Sequence, residues 1–221
     1  MDLARYIDHT LLRVDCSEAD IRKLCQEAME HGFATVCIPP FFVALVRQLL
    51  EQHSSKLRLA TVVGFPLGYS CTPSKVEEIK KAADDGADEI DAVINLCAVK
   101  SSQWSFVEND IDSMCTAARL RGKKIQIALE AALLSEEEIR RLAKILLASK
   151  PDFVKASTGF NGSPTLETVY LLKESLENQI PINAAGDIHI RQEAEAFIKA
   201  GVQRISTSSG VLLMKGEPYA N

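Results

Sequence analysis

Apolar positions along this chain repeat in two periods that take turns from one end to the other. Ile7-Asp8-His9-Thr10 is a short apolar-edged piece, and behind it Ile21, Leu24, Cys25, Ala28 and Met29 fall at helical spacing. Ser17 is placed to cap that helix, and Gly32 to stop it. Phe33 to Ile38 is a continuous strand-like run, ended by Pro39-Pro40 and followed by Val43, Val46, Leu49 and Leu50 at helical spacing. The alternation continues. Strands are predicted over 57–63, 88–94, 125–129, 153–156, 181–184 and 204–207. Helices are predicted from Thr72-Pro73 to Gly86, over 104–120, from Ser135 onward, and over 165–176 and 191–200.

Buried strands joined by helical crossovers make a parallel sheet covered on both faces. Eight strand-helix units without a Pro/Gly/Ser linker predict a closed (β/α)8 TIM barrel, one domain over residues 1–221. A doubly wound open sheet is the other arrangement of such units. No glycine-rich phosphate loop follows the strand ending at Ile38-Pro39-Pro40, which argues against it.

Composition narrows the class of function. The chain has 221 residues, 47% apolar and 25% charged, with a net charge of -5, and carries no basic stretch interleaved with aromatics to grip nucleic acid. No apolar run is long enough to cross a bilayer, and the expected location is cytoplasmic. Six cysteines and four histidines lack the spacing of a disulfide framework or a metal site, so no cofactor is expected.

One residue stands out against this background. Lys155 follows the apolar pair Phe153-Val154 in a strand that runs into Ala156-Ser157-Thr158-Gly159. Alternation puts it on the face opposite Val154. A lysine there either reaches solvent by its long stem or is desolvated, and desolvation moves an amine toward the range where it attacks carbonyls. In a TIM barrel the active site is built from the carboxyl ends of the strands. Asp8, Thr10, Asp91, Asn95, Glu130, Lys155, Ser157, Thr158, Asn183 and Ser206 to Ser209 all collect there. Gly186 and Ser208-Ser209-Gly210 form turns in the seventh and eighth units, where backbone N–H groups commonly cradle phosphate.

The segments Tyr6-Ile-Asp-His-Thr-Leu-Leu12, Val62-Val-Gly-Phe-Pro-Leu-Gly68, Gly86-Ala-Asp-Glu-Ile-Asp-Ala-Val-Ile-Asn95, Phe153-Val-Lys-Ala-Ser-Thr-Gly-Phe160 and Thr207-Ser-Ser-Gly210 together resemble the deoxyribose-phosphate aldolases, metal-free Schiff-base enzymes on a TIM barrel. The resemblance implies reversible cleavage of 2-deoxy-D-ribose 5-phosphate to D-glyceraldehyde 3-phosphate and acetaldehyde. It assigns Lys155 as the Schiff-base lysine and Asp91 as the proton-relay carboxylate. Thr158, Gly159, Gly186, Ser208 and Ser209 become the substrate and phosphate loops. The implied partners are a small phosphorylated sugar or aldehyde and a second copy in a homodimer, with no nucleic acid or membrane.

The chain also departs from the family pattern. Asn183 stands where the family has a second active-site lysine, and Gln126 where a lysine precedes Glu130 by four residues. Asp187, His189 and Ser206 replace a glycine, a basic residue and a glycine. Without the second ammonium Lys155 loses one means of pKa depression. A carboxylate at Asp187 opposes phosphate. Two readings stay open: a slow or substrate-shifted aldolase, and a silent barrel that binds a sugar phosphate or a protein partner.

Overall fold

A computed structural model describes residues 2–186 and 188–216. Strands β1 (Ile7–Thr10), β2 (Thr35–Ile38), β3 (Arg58–Val63), β4 (Glu89–Val93), β5 (Lys124–Ala128), β6 (Phe153–Lys155), β7 (Ile182–Ala185) and β8 (Arg204–Thr207) pair in parallel and in sequence order. β8 closes on β1, with Asp8 opposite Ser206. The expected TIM barrel is present, with each strand end within two residues of the sequence reading.

Around it lie α1 (Glu18–His31), α2 (Val43–Gln52), α3 (Thr72–Asp84), α4 (Leu96–Lys100), α5 (Trp104–Leu120), α6 (Glu136–Ser149), α7 (Leu166–Ser175), α8 (Arg191–Ala200) and α9 (Gly210–Lys215). Sequence-coded caps fix several of these helices. In α1 the Ser17 hydroxyl accepts from the Asp20 amide while Asp20 accepts from the Ser17 amide, and Gly32 ends the helix in the left-handed region. Ser135 and Glu138 form the same reciprocal pair on α6. The short helix α4 was not foreseen, and α9, the helix that closes the eighth unit, had no range read for it, because little more than a turn shows no apolar period.

Alternation along the strands sorts the barrel into two chemistries. Ile7, Val36, Ile38, Leu59, Ile90, Ile125, Ile127, Val154, Ile182 and Ile205 point outward and pack under the helices as the main core. The inward positions hold Asp8, Thr35, Cys37, Glu89, Asp91, Gln126, Lys155, Asn183, Arg204 and Ser206, all buried. Most TIM barrels fill this space with branched apolar side chains. Here the lumen is largely polar, and its satisfaction falls to side-chain pairing.

A second buried charge lies outside the barrel. Lys75 on α3 is fully buried, and its amine donates to Asp110 Oδ2 on α5 at 2.7 Å and to the Val93 carbonyl at the end of β4 at 2.9 Å. Thr72 donates to the other Asp110 oxygen at 2.7 Å. The pair ties two helices to the strand that carries Asp91. Nearby, Gly68 lies so close to the Ile94 carbonyl that a Cβ would sit 1.8 Å from its oxygen, so only glycine fits the loop against β4. Asp110→Ala is expected to cost about 3–5 kcal/mol in urea or thermal unfolding, because it leaves a buried ammonium unpaired. The double change Lys75→Met with Asp110→Leu should recover most of that loss.

Candidate active site

The site is assembled from β4 and β6 outward. Lys155 is 4% exposed and Asp91 3% exposed. Lys155 Nζ donates to Asp91 Oδ2 at 2.5 Å across the lumen. The solvent-reaching alternative for this lysine is therefore excluded. Asp91 Oδ2 also lies 3.9 Å from the Cys37 thiol. Its other oxygen, Oδ1, is buried with no hydrogen-bond partner among the described residues, as is Gln126 Nε2 on the adjacent strand. A carboxylate with one oxygen on the amine and one uncommitted is placed to take and return a proton.

Asn183 is the direct register partner of Lys155, so the two side chains leave neighbouring strands on the same face, as the sequence implied. Its hydrogen bonds run elsewhere. Asn183 Nδ2 donates to Asp8 Oδ2 and to Gln126 Oε1, each at 2.8 Å, and its oxygen accepts from Ser206 at 3.2 Å. The two positions where the family pattern has lysine are thus linked as a neutral amide pair. Beneath them Arg204 donates to Asp8 Oδ1 at 2.5 Å, to Glu89 at 3.2 Å and to Thr35, while Arg58 reaches Glu89 at 3.1 Å from the barrel's lower rim.

The charges set the titration of the site. Burial pulls the Lys155 amine down, but Asp91 beside it, with further help from Asp8, outweighs burial and pushes it up from 10.5 to about 12. The desolvation read from the sequence acts to lower the amine, and the ion pair overrides it. Burial raises Asp8 while Arg204 and Lys155 pull it back. Burial also lifts the Cys37 thiol well above its usual range, with Asp91 adding to the effect, so Cys37 is held as the neutral thiol.

The loops at the carboxyl ends place the remaining residues. Thr158 donates its amide to Glu130 Oε1 at 2.5 Å, and its hydroxyl accepts from Phe160 N at 3.2 Å. Gly159 approaches Gly186 so closely that a Cβ on Gly159 would lie 3.4 Å from the Gly186 Cα, joining the β6 and β7 loops. Ser209 Oγ lies 2.9 Å from His189 Nδ1, and Ser208 is exposed beside it. Asp187, read above as opposing phosphate, lies outside the described residues.

Sequence reasoning placed Glu130 at a strand end without giving it a role. It is buried, adopts left-handed backbone angles (φ 56°, ψ 51°), and keeps Oε2 without a partner among the described residues. A non-glycine residue in that region is strained. Glu130 thereby holds the segment that follows Lys155. Its only sequence signal was an acid directly after an apolar strand. Among the described residues no group of three or more His, Cys, Asp or Glu side chains is arranged to hold a metal ion, and no helix is long and apolar enough to cross a membrane.

Comparison with known proteins places the chain and its barrel in a family. Residues 3–212 match the DeoC/LacD family aldolase profile. A deoxyribose-phosphate aldolase of Thermococcus gammatolerans is 41% identical over 217 residues, covering 98% of this chain and 96% of that one. The enzyme of the same name from Desulfitobacterium hafniense is 44% identical, covering 97% and 98%. Among solved structures, an aldolase designated QR15 superposes with a TM-score of 0.91 at 35% identity, covering 97% and 95%. A deoxyribose phosphate aldolase from Aeropyrum pernix, described as tetrameric, gives 0.89 at 29% identity, covering 96% and 89%. With a matched profile spanning nearly the whole barrel and relatives above 40% identity, this chain belongs to the DeoC/LacD aldolase family.

Proposed function

We propose that the protein is a Schiff-base aldolase that reversibly cleaves 2-deoxy-D-ribose 5-phosphate to D-glyceraldehyde 3-phosphate and acetaldehyde, with Lys155 as nucleophile and Asp91 as proton carrier. The observation that carries the reading is the buried contact of 2.5 Å between Lys155 Nζ and Asp91 Oδ2. The unprotonated amine attacks the aldehyde carbon, and Asp91 relays the proton that lets the carbinolamine lose water to give the iminium. Removal of the proton from the C3 hydroxyl then breaks the C2–C3 bond. Its electron pair flows to the iminium as an enamine, and glyceraldehyde 3-phosphate leaves. Protonation of the enamine at carbon and hydrolysis release acetaldehyde and restore Lys155. Thr158, Gly159, Gly186, Ser208 and Ser209, on the loops after β6, β7 and β8, would take the phosphorylated end.

Acetaldehyde with borohydride at alkaline pH is expected to leave an ethyl group on Lys155, identified by peptide mass spectrometry. Labelling confined to surface lysines, with Lys155 unmodified in the folded protein, would sink the aldolase reading in favour of a silent sugar-phosphate-binding barrel.

The raised Lys155 value makes the free amine scarce at neutrality. With the amine held above its ordinary 10.5, the free base is a small minority form at pH 7. Turnover is therefore expected to climb with pH, roughly tenfold per pH unit, until the protein itself fails. The sign for stability runs the other way. The group's folded value lies above its ordinary 10.5, so its contribution to the fold is fully present below that pH and is lost as pH rises through about 12.

Two variants separate the roles. Asp91→Asn removes the leading influence that raises Lys155 while leaving desolvation, so the amine titration followed by NMR should move down. Turnover should nevertheless drop by about 10²–10⁴, because the proton carrier is gone. If the amine stays where it was, Asp91 does not govern it. Asn183→Lys places a second ammonium beside Lys155 and within reach of Asp8. It should move the acid limb of the rate profile to lower pH and raise turnover near neutrality, roughly tenfold for every pH unit that the limb travels. An unmoved limb in the folded variant would show that Lys155 is tuned from elsewhere.

A further inference from the structure

The lysine that must meet an aldehyde is almost sealed, and a single aromatic contact crosses the barrel mouth above it. Phe65, in the loop between β3 and α3, and Phe160, in the loop between β6 and α7, meet edge to face with ring centroids 5.1 Å apart and planes at 89°. In the barrel β4 and β5 lie between β3 and β6, and their lumen-facing residues include Asp91 and Gln126. A contact between the two loops therefore bridges the carboxyl end of the barrel, the end toward which Lys155, the last residue of β6, opens.

The two halves of the contact are built differently. Phe65 packs down on the small apolar patch of Cys37, Ala60 and Val62. Its loop is pinned by Gly64 N donating to Glu78 at 2.8 Å and by the tight seat of Gly68 against Ile94. Phe160 is 53% exposed and sits between Gly159 and Gly162, both at positive φ (87° and 109°). Glycines in that region change backbone angles at little steric cost. Ser157 Oγ accepts from Gly159 N at 2.9 Å and donates to the Gly162 carbonyl at 2.6 Å, which ties the ends of this short loop; Phe160, exposed between them, is the half with room to swing, and Phe65 the half packed in place.

We propose that Phe160 is a specificity-determining gate: it must swing off Phe65 for an aldehyde to reach Lys155, and the opening it makes selects slender aldehydes over bulky ones. This rests on the aldolase reading above, since it concerns access to the same amine. An edge-to-face ring pair is a modest contact, so opening needs no unfolding, and deleting the Phe160 ring should raise the open population by roughly two- to tenfold. A slender open-chain sugar phosphate passes as its aldehyde end enters first. A phenyl-substituted chain meets the ring.

The test measures the rate of cyanoborohydride trapping at Lys155, by peptide mass spectrometry, with acetaldehyde and with 3-phenylpropanal, in the native protein, Phe160→Ala and Phe160→Leu. Phe160→Ala is expected to trap acetaldehyde roughly two- to tenfold faster and 3-phenylpropanal faster by a larger factor, with Phe160→Leu between. Surface lysines in the same digest should label at unchanged rates, which sets access apart from a general loosening of the fold. Trapping at native rates with both aldehydes, slower trapping, or acceleration shared by the surface lysines would each overturn the gate while leaving the aldolase reading intact. Absence of any Lys155 adduct in all three folded proteins would instead overturn the aldolase reading, and the gate with it.

Discussion

Everything inside this barrel follows from the need to keep an ammonium buried. Moving a charge out of water costs several kcal/mol even after relaxation, and only a well-placed partner with further hydrogen bonds offsets that. Lys155 has Asp91, and Asp91 sits on β4, whose end is held by Lys75 through the Val93 carbonyl. A lumen that accepts one such pair cannot be finished with leucine, because each carboxylate oxygen and amide nearby must also be satisfied. Hence the chain of side-chain bonds through Asp8, Asn183, Gln126, Ser206 and Arg204. The apolar packing that would have filled the lumen is displaced to the layer between strands and helices.

Charge balance explains why Asn183 matters more than its size. Asp8, Glu89 and Asp91 face Arg204 and Lys155 in the buried lumen, with Arg58 reaching Glu89 only from the half-exposed rim. Among the described residues these acids outnumber the buried lumen cations, and a lysine at position 183 would even the count. In its absence the negative field falls on what remains: it holds Lys155 protonated against burial, while Asp8, raised by burial, is pulled back by Arg204 and Lys155. The same substitution makes the network easy to satisfy. An amide donates and accepts without adding a charge to desolvate, so the site gains a quiet hydrogen-bond lattice and gives up a more reactive amine.

Much of this was legible in the sequence because barrel strands keep a strict period. Val154 and Lys155 had to face opposite ways, and Asp91, Lys155 and Asn183 had to gather at the carboxyl ends once the fold was recognised. What escaped were features whose local sequence has a commoner meaning. Lys75 lies in Pro73-Ser-Lys-Val-Glu-Glu78, which reads as a solvated helix start, and only the position of α5 turns it into a buried post. Glu89 and Arg204 open their strands, where charges usually meet solvent; closure of the barrel puts them in contact. The direction in which the Lys155 pKa moves was out of reach for a related reason. Desolvation can be inferred from an apolar strand, but the competing attraction depends on a distance between residues 64 positions apart.

Holding that distance and admitting a substrate are opposed demands, and the mouth divides them between its two sides. On the β3 and β4 side Gly68 is wedged against Ile94, Gly64 is tied to Glu78, and Lys75 braces the strand end. Rigidity there fixes Asp91. On the β6 side the segment after Lys155 is held by Glu130 through the Thr158 amide, at the cost of a left-handed backbone that an ordinary residue avoids. Beyond Thr158 the glycines take over. A loop clamped next to the lysine and free to swing a few residues further on can open without disturbing Lys155 itself, because the clamp lies between Lys155 and the part that swings. The left-handed backbone at Glu130 is the local strain that accompanies this clamp, borne at the end of β5 rather than at Lys155 itself.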